Sequence, residues 1–174
     1  MISAPRPDGR APSREASGSL PSMAKLPDVG DLAPDFTLAS TQGDVTLSKR
    51  LADGAVLLAF YPGDDTPVCT KQLCDYRDNL AVFGELGVQV IALNPQTLAS
   101  HEKFAKKHAL PFPVAADADG AVCKSYGAAG LFGITKRALV LIGRDGRVRW
   151  RKTDFPLFFE STGEIREAIA GLAR

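Results

Sequence analysis

The sequence has no long apolar run and no excess of charge of either sign. No stretch approaches the roughly 18 consecutive apolar residues that a membrane-spanning helix needs, so we expect no membrane partner. Lys and Arg number 21 against 20 Asp and Glu, so there is no global basic field to attract nucleic acid and no strongly acidic one. With ordinary apolar content, the 174 residues suit one globular domain with a short excess.

Cysteine is also scarce, with three residues in the chain. An odd number argues against the disulfide framework of a small secreted protein. Cys69 and Cys74 lie close together, and closely spaced cysteines in a reducing cytosol are more often catalytic or metal-binding than structural. We therefore predict a cytoplasmic location, with the chemistry centred on this pair.

Histidine gives little support for a metal site. His101 and His108 share one face of a predicted helix, but no carboxylate or cysteine cluster joins them at the spacing of metal ligands. We interpret both as surface or partly buried side chains.

The first 22 residues lack the apolar side chains that a folded segment needs. They are rich in Pro, Ser, Ala, Gly and Arg, and we predict that residues 1–22 are a disordered extension, followed by one folded domain over 23–174. The extension has no continuous apolar core of the kind that a secretory signal contains. Its three arginines leave an organelle-targeting peptide open, although its acidic residues and prolines count against one. A dispensable tail or an upstream start is the simpler interpretation.

The rest of the chain alternates apolar runs with helical patterns. Buried strands are predicted over 55–60, 88–93 and 137–142, a hairpin partner over 148–152, and shorter extended pieces over 33–38, 45–47 and 112–115. Helices are predicted over 48–52, 71–83, 97–108 and 121–126, with a last one after a capping box at 161–164. A βαβ order followed by a hairpin and a helix predicts an α/β protein with a thioredoxin-like fold, a central mixed β-sheet flanked by helices.

One stretch, residues 61–74, carries most of the chemistry. Cys69 follows the apolar strand 55–60 and falls at a helix start that Pro67 predicts, because proline is favoured in the first helical turn. There its side chain lies near unpaired backbone N–H groups and the positive end of the helix dipole. Such a position favours the thiolate, which is the nucleophilic form of cysteine.

The spacing of Cys69 and Cys74 predicts a protein with two conformations. Five residues of helix rise ~7.5 Å and rotate by a net ~140°. The two Cα atoms are then farther apart than the ~7 Å limit for a disulfide. A bond between them therefore requires the first helical turns to unravel.

The residues around Cys69 resemble the active-site signature of the peroxiredoxins. The signature is Pro62-x3-Thr66-x2-Cys69, preceded by Ala59-Phe60-Tyr61. Within that family, the run from Thr66 to Thr70 with Cys74 beyond it resembles the bacterioferritin comigratory protein, or PrxQ, subfamily. The similarity extends over roughly residues 29–172, where several separated segments follow the family's order.

The resemblance implies a role for each matching residue. Cys69 matches the peroxidatic cysteine, which hydrogen peroxide or an organic hydroperoxide converts to sulfenic acid. Thr66 matches the hydroxyl that hydrogen-bonds peroxide and thiolate, and Pro62 the proline that shields the sulfur from water. Arg137 matches the arginine that stabilises the thiolate and polarises the peroxide. Cys74 matches the resolving cysteine, whose disulfide thioredoxin or a similar dithiol protein reduces.

Two positions depart from the family pattern, since Val68 replaces a frequent Gly and Gln72 a frequent Glu. Neither removes a reacting group, although both could alter rate or substrate preference. The chemistry requires no metal or organic cofactor, because a guanidinium, a hydroxyl and helix N–H groups can stabilise the developing charge. The resemblance also implies a monomer.

Cys123 is the one cysteine outside the motif, and two functions other than a peroxidase are also compatible with the sequence. Cys123 lies on a short helix without a partner motif, and we interpret it as a packing residue rather than an alternative resolving cysteine. A thiol–disulfide relay protein is a second hypothesis, against which the lack of a Cys-x-x-Cys pair counts. A peroxide sensor that signals through Cys69 is a third.

Overall fold

A computed structural model describes residues 25–154 and 158–172 of the chain. The strands are β1 (Thr37–Ser40), β2 (Gly43–Thr46), β3 (Ala55–Phe60), β4 (Val88–Asn94), β5 (Val114–Ala116), β6 (Ala138–Ile142) and β7 (Val148–Thr153). The helices are α1 (Leu47–Leu51), α2 (Pro67–Asp78), α3 (Leu80–Glu85), α4 (Leu98–His108), α5 (Ala121–Ser125) and α6 (Thr162–Leu172), with a 3₁₀ turn at Leu131–Gly133. The predicted extension over 1–22 lies outside the described residues.

The strands form one mixed seven-stranded sheet in the order β2-β1-β5-β4-β3-β6-β7. At its centre, β3 runs parallel to β4 and antiparallel to β6. Helices cover both faces, which is why β3 and β6 are apolar along their whole length rather than at alternate positions. The predicted fold class is confirmed.

The side chains of β3 point alternately to the two faces of the sheet and pack in two separate apolar cores. Leu58 and Phe60 pack on the face that also holds Tyr126 and Cys123. Leu57, Ala59 and Tyr61 pack on the opposite face with residues of α2, α4 and α6, among them Cys69, Leu73, Tyr76, Phe104 and Ile165. The helix that carries Cys69 and Cys74 is thus anchored by its inner side, where a fully buried leucine such as Leu73 contributes about 2 kcal/mol.

Two local predictions were wrong. The single helix over 71–83 is two helices, α2 and α3, which meet at Asn79. There the Asn79 amide donates to the Asp75 carbonyl oxygen at 2.8 Å, the kind of side-chain bond that competes with the helical pattern. The extended piece predicted over 45–47 is instead β2 at Gly43–Thr46, because the Ser40 hydroxyl donates to the Gly43 carbonyl at 2.6 Å and the turn falls before Gly43.

Two turn and cap predictions are confirmed. The Ser161 N–H donates to Glu164 Oε2 at 2.7 Å and the Glu164 N–H reaches Ser161 Oγ at 3.4 Å, which is the capping box before α6. The β6–β7 turn ends at Gly146, whose φ of 78° favours glycine. Within the described ranges, every helix is too short or too polar to cross a membrane.

Candidate active site

Cys69 lies in the first turn of α2, the helix that follows the central strand β3. Thr66 is the extended residue before α2, with φ −75° and ψ 143°, and Pro67 occupies the first helical turn as predicted. Thr70 N–H closes the first helical hydrogen bond to the Thr66 carbonyl at 2.9 Å. Cys69 therefore lies among the unpaired N–H groups of the helix start and is 1% exposed.

Arg137 reaches the Cys69 sulfur from the neighbouring strand. Its residue number places it one position before β6, and its side chain is 1% exposed. One guanidinium nitrogen, Nη2, donates to Cys69 Sγ at 3.2 Å. A charge-assisted bond of this kind stabilises a thiolate more than a thiol. The structure thus brings together two of the predicted site residues that are 68 positions apart.

Gln72 fixes the other end of the guanidinium. Its Oε1 accepts a hydrogen bond from Arg137 Nη1, and its Nε2 donates to the Tyr76 hydroxyl at 3.0 Å. That hydroxyl donates in turn to the Glu160 carbonyl at 3.0 Å. Burial raises the pKa of Tyr76 well above its ordinary value, so the hydroxyl keeps its proton and remains a donor. The sequence showed Gln72 only as a departure from the family pattern; its orienting contact became visible in the fold.

Thr66 and Pro62 frame the loop in front of Cys69. Pro62 is half-buried and comes directly after the buried Tyr61. Thr66 is exposed, and its hydroxyl donates to the Gly63 carbonyl at 3.2 Å instead of capping α2. Both residues therefore lie on the segment that leads into the first turn of α2, as their spacing predicted.

A buried carboxylate anchors this loop to α4. Asp64 Oδ1 accepts from the Tyr61 hydroxyl at 2.5 Å, and Oδ2 accepts from Ser100 Oγ at 2.7 Å. His101 Nδ1 lies 2.8 Å from the same Oδ2, and the Asp64 N–H donates to Gln96 Oε1 at 2.6 Å. Burial alone would raise the pKa of Asp64, but hydrogen bonds from His101, Tyr61 and Ser100 outweigh it and hold the pKa below its ordinary value.

His101 corrects a prediction. We expected a surface or partly buried side chain, whereas His101 is fully buried against the Asp64 carboxylate. The available signal was its position on the apolar side of α4, next to Phe104 and Ala105. Its carboxylate partner lies 37 positions away and could not be inferred from that pattern.

Cys74 lies on the same uninterrupted helix as Cys69 and is half-buried. Its sulfur is 3.9 Å from Nδ1 of His108, the last residue of α4. All three cysteines of the chain are free thiols. Sequence reasoning placed His108 on the same face of α4 as His101, but did not connect it to Cys74.

Cys123 lies in the core on the other face of the sheet, as a packing residue should. It is 1% exposed, and its sulfur is 4.0 Å from Thr135 Oγ1. Burial raises the pKa of the Cys123 thiol to about 12, and the neighbouring Asp117 adds to the shift. The sheet separates this thiol from Cys69.

A surface cavity of about 330 Å³ adjoins the start of α2. It is lined by Pro67, Val68 and Lys71 from α2 and by Phe158 and Phe159 from the segment before α6. Val68 thus contributes an apolar wall to this cavity. The apolar segment 155–159 contributes Phe158 and Phe159 to the surroundings of the α2 start, and residues 155–157 lie outside the described residues.

Comparison with known proteins agrees with the fold. Residues 29–151 match the model of the AhpC/TSA family. Peroxiredoxin Q of Arabidopsis thaliana is 38% identical over 122 residues, covering 69% of this chain and 56% of the relative. Peroxiredoxin Q of Gentiana triflora is 33% identical over 151 residues, covering 86% and 68%. The crystal structure of peroxidoxin BcpB from Mycobacterium tuberculosis superposes with a TM-score of 0.74 at 31% identity, covering 83% of this chain and 96% of that one.

The chain spans between 56% and 68% of the length of the curated relatives it matches. The match nevertheless covers the whole region from the first strands to the β6–β7 hairpin, including both cysteines of α2 and Arg137. The solved relative is covered almost completely. The chain therefore belongs to the AhpC/TSA family, as a peroxiredoxin of the bcp and peroxiredoxin Q type.

Proposed function

We propose that the protein is a thiol-dependent peroxidase that reduces hydrogen peroxide and organic hydroperoxides. The observation that carries the proposal is the 3.2 Å contact between Arg137 Nη2 and Cys69 Sγ, at the start of a helix and beside a surface cavity. A thiolate, a buried cation and free N–H donors meet at one point, which is what cleavage of an O–O bond needs.

In the first step, the Cys69 thiolate attacks one peroxide oxygen. The new S–O bond forms as the O–O bond breaks, leaving a sulfenic acid on Cys69 and releasing water or an alcohol once the second oxygen takes a proton. Arg137 and the N–H groups of α2 stabilise the negative charge that develops on the departing oxygen, and the Thr66 hydroxyl joins them by turning from the Gly63 carbonyl toward the peroxide. Pro62 and Tyr61 limit the access of water to the sulfur.

In the second step, Cys74 attacks the oxidised Cys69 sulfur, and an intramolecular disulfide and water result. Since both residues lie on the continuous helix α2, this step follows local opening of the helix start. Thioredoxin or a similar dithiol protein then reduces the disulfide and is itself oxidised. No second subunit takes part, which agrees with a monomer.

The cavity beside α2 suits hydroperoxides larger than hydrogen peroxide. Its walls include the apolar side chains of Val68, Phe158 and Phe159. An alkyl group can lie against them while the peroxide oxygens reach Cys69. A cytoplasmic location is part of the proposal, although the plant relatives are chloroplastic proteins by name.

Peroxide consumption in the presence of thioredoxin, its reductase and NADPH tests the proposal. Cys69→Ser is expected to abolish turnover, and Cys74→Ser to allow one turnover that stops at the sulfenic acid. Cys123→Ser is the matched control, because its thiol is buried on the other face, and it is expected to turn over normally. Full activity of Cys69→Ser would overturn the mechanism.

The same experiment separates a peroxidase from a peroxide sensor. A sensor would form the Cys69 sulfenic acid but show negligible continuous turnover. It would also accumulate as a mixed disulfide with a partner protein. Sustained NADPH consumption by the unsubstituted protein supports the peroxidase.

A further inference from the structure

We propose that His108 is the general base that ionises Cys74 for the resolving step, with Asp65 as a positioning residue on the far side of the imidazole. The inference deepens the proposed function and rests on it, since it assigns a group to the second chemical step. It starts from an arrangement outside the Cys69 site: a thiol, an imidazole and a carboxylate in a row.

The distances define this row. Cys74 Sγ lies 3.9 Å from His108 Nδ1, within the range of hydrogen bonds to sulfur. On the other side of the ring, His108 Nε2 lies 3.8 Å from Asp65 Oδ1. Nε2 is shielded from solvent and has no hydrogen-bond partner among the described residues. A nucleophile, a base and a third group that orients the base are therefore present in order.

The chemistry of a neutral imidazole selects one tautomer for this arrangement. One ring nitrogen carries the proton and the other accepts. With the proton on Nε2, facing the Asp65 carboxylate, Nδ1 is free to accept from the Cys74 thiol. Proton transfer then creates an imidazolium next to a carboxylate, which stabilises it.

Neighbouring contacts hold the imidazole in place. The ring packs edge-on against Phe104, with centroids 4.9 Å apart. Arg77 Nη1 donates to the His108 carbonyl at 2.6 Å and so ties α2 to the end of α4. The charged groups facing the pair are Arg77 from α2, Lys107 from α4 and Asp65 from the loop, and Lys107 Nζ lies 2.8 Å from Asp65 Oδ1.

The part of α2 that follows Cys74 is tied to α6 and to α4. Asp75 Oδ2 accepts from both the N–H and the hydroxyl of Thr162, at 2.7 and 2.8 Å. Arg77 is bound to His108, as described above. When the helix start opens, Cys69 therefore moves toward Cys74, and Cys74 stays beside its base.

In the resolving step, His108 Nδ1 takes the proton of Cys74, and the thiolate attacks the Cys69 sulfur. The S–S bond forms while the S–O bond of the sulfenic acid breaks. The leaving hydroxide takes the proton from His108 and departs as water. The oxidising equivalents come from the peroxide consumed in the first step.

Rapid-quench mass spectrometry after one equivalent of hydrogen peroxide tests the assignment. Dimedone labelling follows the sulfenic acid, and tryptic mapping follows the Cys69–Cys74 disulfide. The variants are His108→Gln and His108→Asn, with Lys106→Gln as the matched control on the exposed side of α4. Sulfenic acid formation is expected at the unsubstituted rate in all four proteins.

Disulfide formation should slow in both His108 variants, in a manner that depends on pH. An unassisted thiol is about 3% thiolate at pH 7, so the largest expected loss is about 30-fold there. The loss should shrink to less than about twofold by pH 9.5, where a thiol ionises without help. Asp65→Asn should give a smaller loss with the same pH trend.

The inference is wrong if the His108 variants form the disulfide within twofold of the unsubstituted rate at pH 7. It is also wrong if their rate is lowered by the same factor at every pH, which a purely structural role would give. If the His108 variants fail to fold, the pH dependence of disulfide formation in the unsubstituted protein tests the role of His108 instead. Its disulfide rate should rise less than threefold from pH 7 to 9, against about 25-fold for an unassisted thiol. Absence of any sulfenic acid in the unsubstituted protein would refute the peroxidase function instead.

Discussion

At the scale of single residues, a neutral amide controls the cation of the site. Gln72 Oε1 receives one guanidinium nitrogen of Arg137 while the other points at Cys69 Sγ. Because the amide is itself held by the Tyr76 hydroxyl, the guanidinium is held along a chain of buried hydrogen bonds. An uncharged acceptor orients Arg137 without neutralising it.

Gln72→Met should therefore slow the reaction of Cys69 with peroxide. Loss of one hydrogen bond to a charged group costs about 1.5 kcal/mol, which corresponds to about a tenfold lower second-order rate constant. Competition with a reference peroxidase for limiting hydrogen peroxide measures it. Gln72→Glu keeps the acceptor and is the control for orientation. An unchanged rate constant in Gln72→Met would show that Arg137 needs no such support.

Asp64 makes a prediction about acid stability. Its pKa is lower in the fold than in the unfolded chain, so the native state holds fewer protons. Its contribution is fully present above the ordinary carboxyl pKa of about 4 and is lost as the pH falls through the lowered value. Urea unfolding from pH 7 to 3 should show Asp64→Asn losing less stability on acidification than the unsubstituted protein.

The exposed Asp44 provides the matched control for that measurement. Asp44→Asn should leave the acid dependence as it is in the unsubstituted protein. Since the other carboxyl groups are common to all three proteins, the difference isolates Asp64. If the free energy of unfolding falls equally with pH in Asp64→Asn and in the unsubstituted protein, the hydrogen bonds of Asp64 do not outweigh the effect of burial on its pKa.

At the scale of the elements, α2 has anchors on either side of the turns that carry Cys69. The loop before it is fixed to α4 through Asp64, and its far end is fixed to α6 and α4 through Asp75 and Arg77. The first turns between these anchors carry Cys69. Any opening is therefore confined to a short stretch.

Hydrogen exchange should reveal this division when the disulfide forms. Amide protection over residues 67–73 is expected to fall on oxidation, because a disulfide does not fit an intact helix at this spacing. Protection over 75–78 and throughout α4 should persist. Mass spectrometry of peptic peptides from reduced and oxidised protein provides the measurement. Retained protection over 67–73 in the disulfide form would contradict the two-conformation mechanism.

At the scale of the whole molecule, one turn holds the two most exposed large apolar side chains of the described residues. Leu131 and Phe132 are 81% and 97% exposed, and Ile134 is 59% exposed. Phe132 also has a φ of 56°, which is uncommon for an aromatic residue. Exposed apolar clusters often mark surfaces that bind another protein. This cluster is therefore where two copies of the chain would associate if the proposed monomer were wrong.

We expect one sedimenting species near 18.5 kDa at micromolar concentration, in reduced and oxidised protein alike. Phe132→Asn should leave the sedimentation unchanged and raise the unfolding temperature slightly, because Asn tolerates a positive φ better. Analytical ultracentrifugation and thermal unfolding check both statements. A dimer that Phe132→Asn dissociates would refute the monomer.

Much of the molecule followed from periodicity and turn chemistry. The apolar run before Tyr61 and the proline before Cys69 predicted β3 and the start of α2, because both signals are local. The partners that Asp64 and Cys74 have on α4 lie more than 30 positions away, so no local pattern could reveal them. The break at Asn79 was missed because an Asn side chain ends a helix only where its local hydrogen bond wins.

The antiparallel pairing of β3 with β6 has a consequence for catalysis. Phe60 pairs with Ala138, so the strand that leads to Cys69 and the strand that follows Arg137 are joined by the sheet itself. The sheet therefore fixes the backbone next to Arg137 when the helix start opens, while the guanidinium bonds to Cys69 and Gln72 belong to the closed form. By thermodynamic linkage, a tighter Arg137–Cys69 contact opposes opening of the thiolate form to the same degree that it stabilises the thiolate in the closed form. Within this architecture, oxidation of Cys69 to the neutral sulfenic acid weakens that charge-assisted contact, so the helix start should open more readily after peroxide has reacted than before.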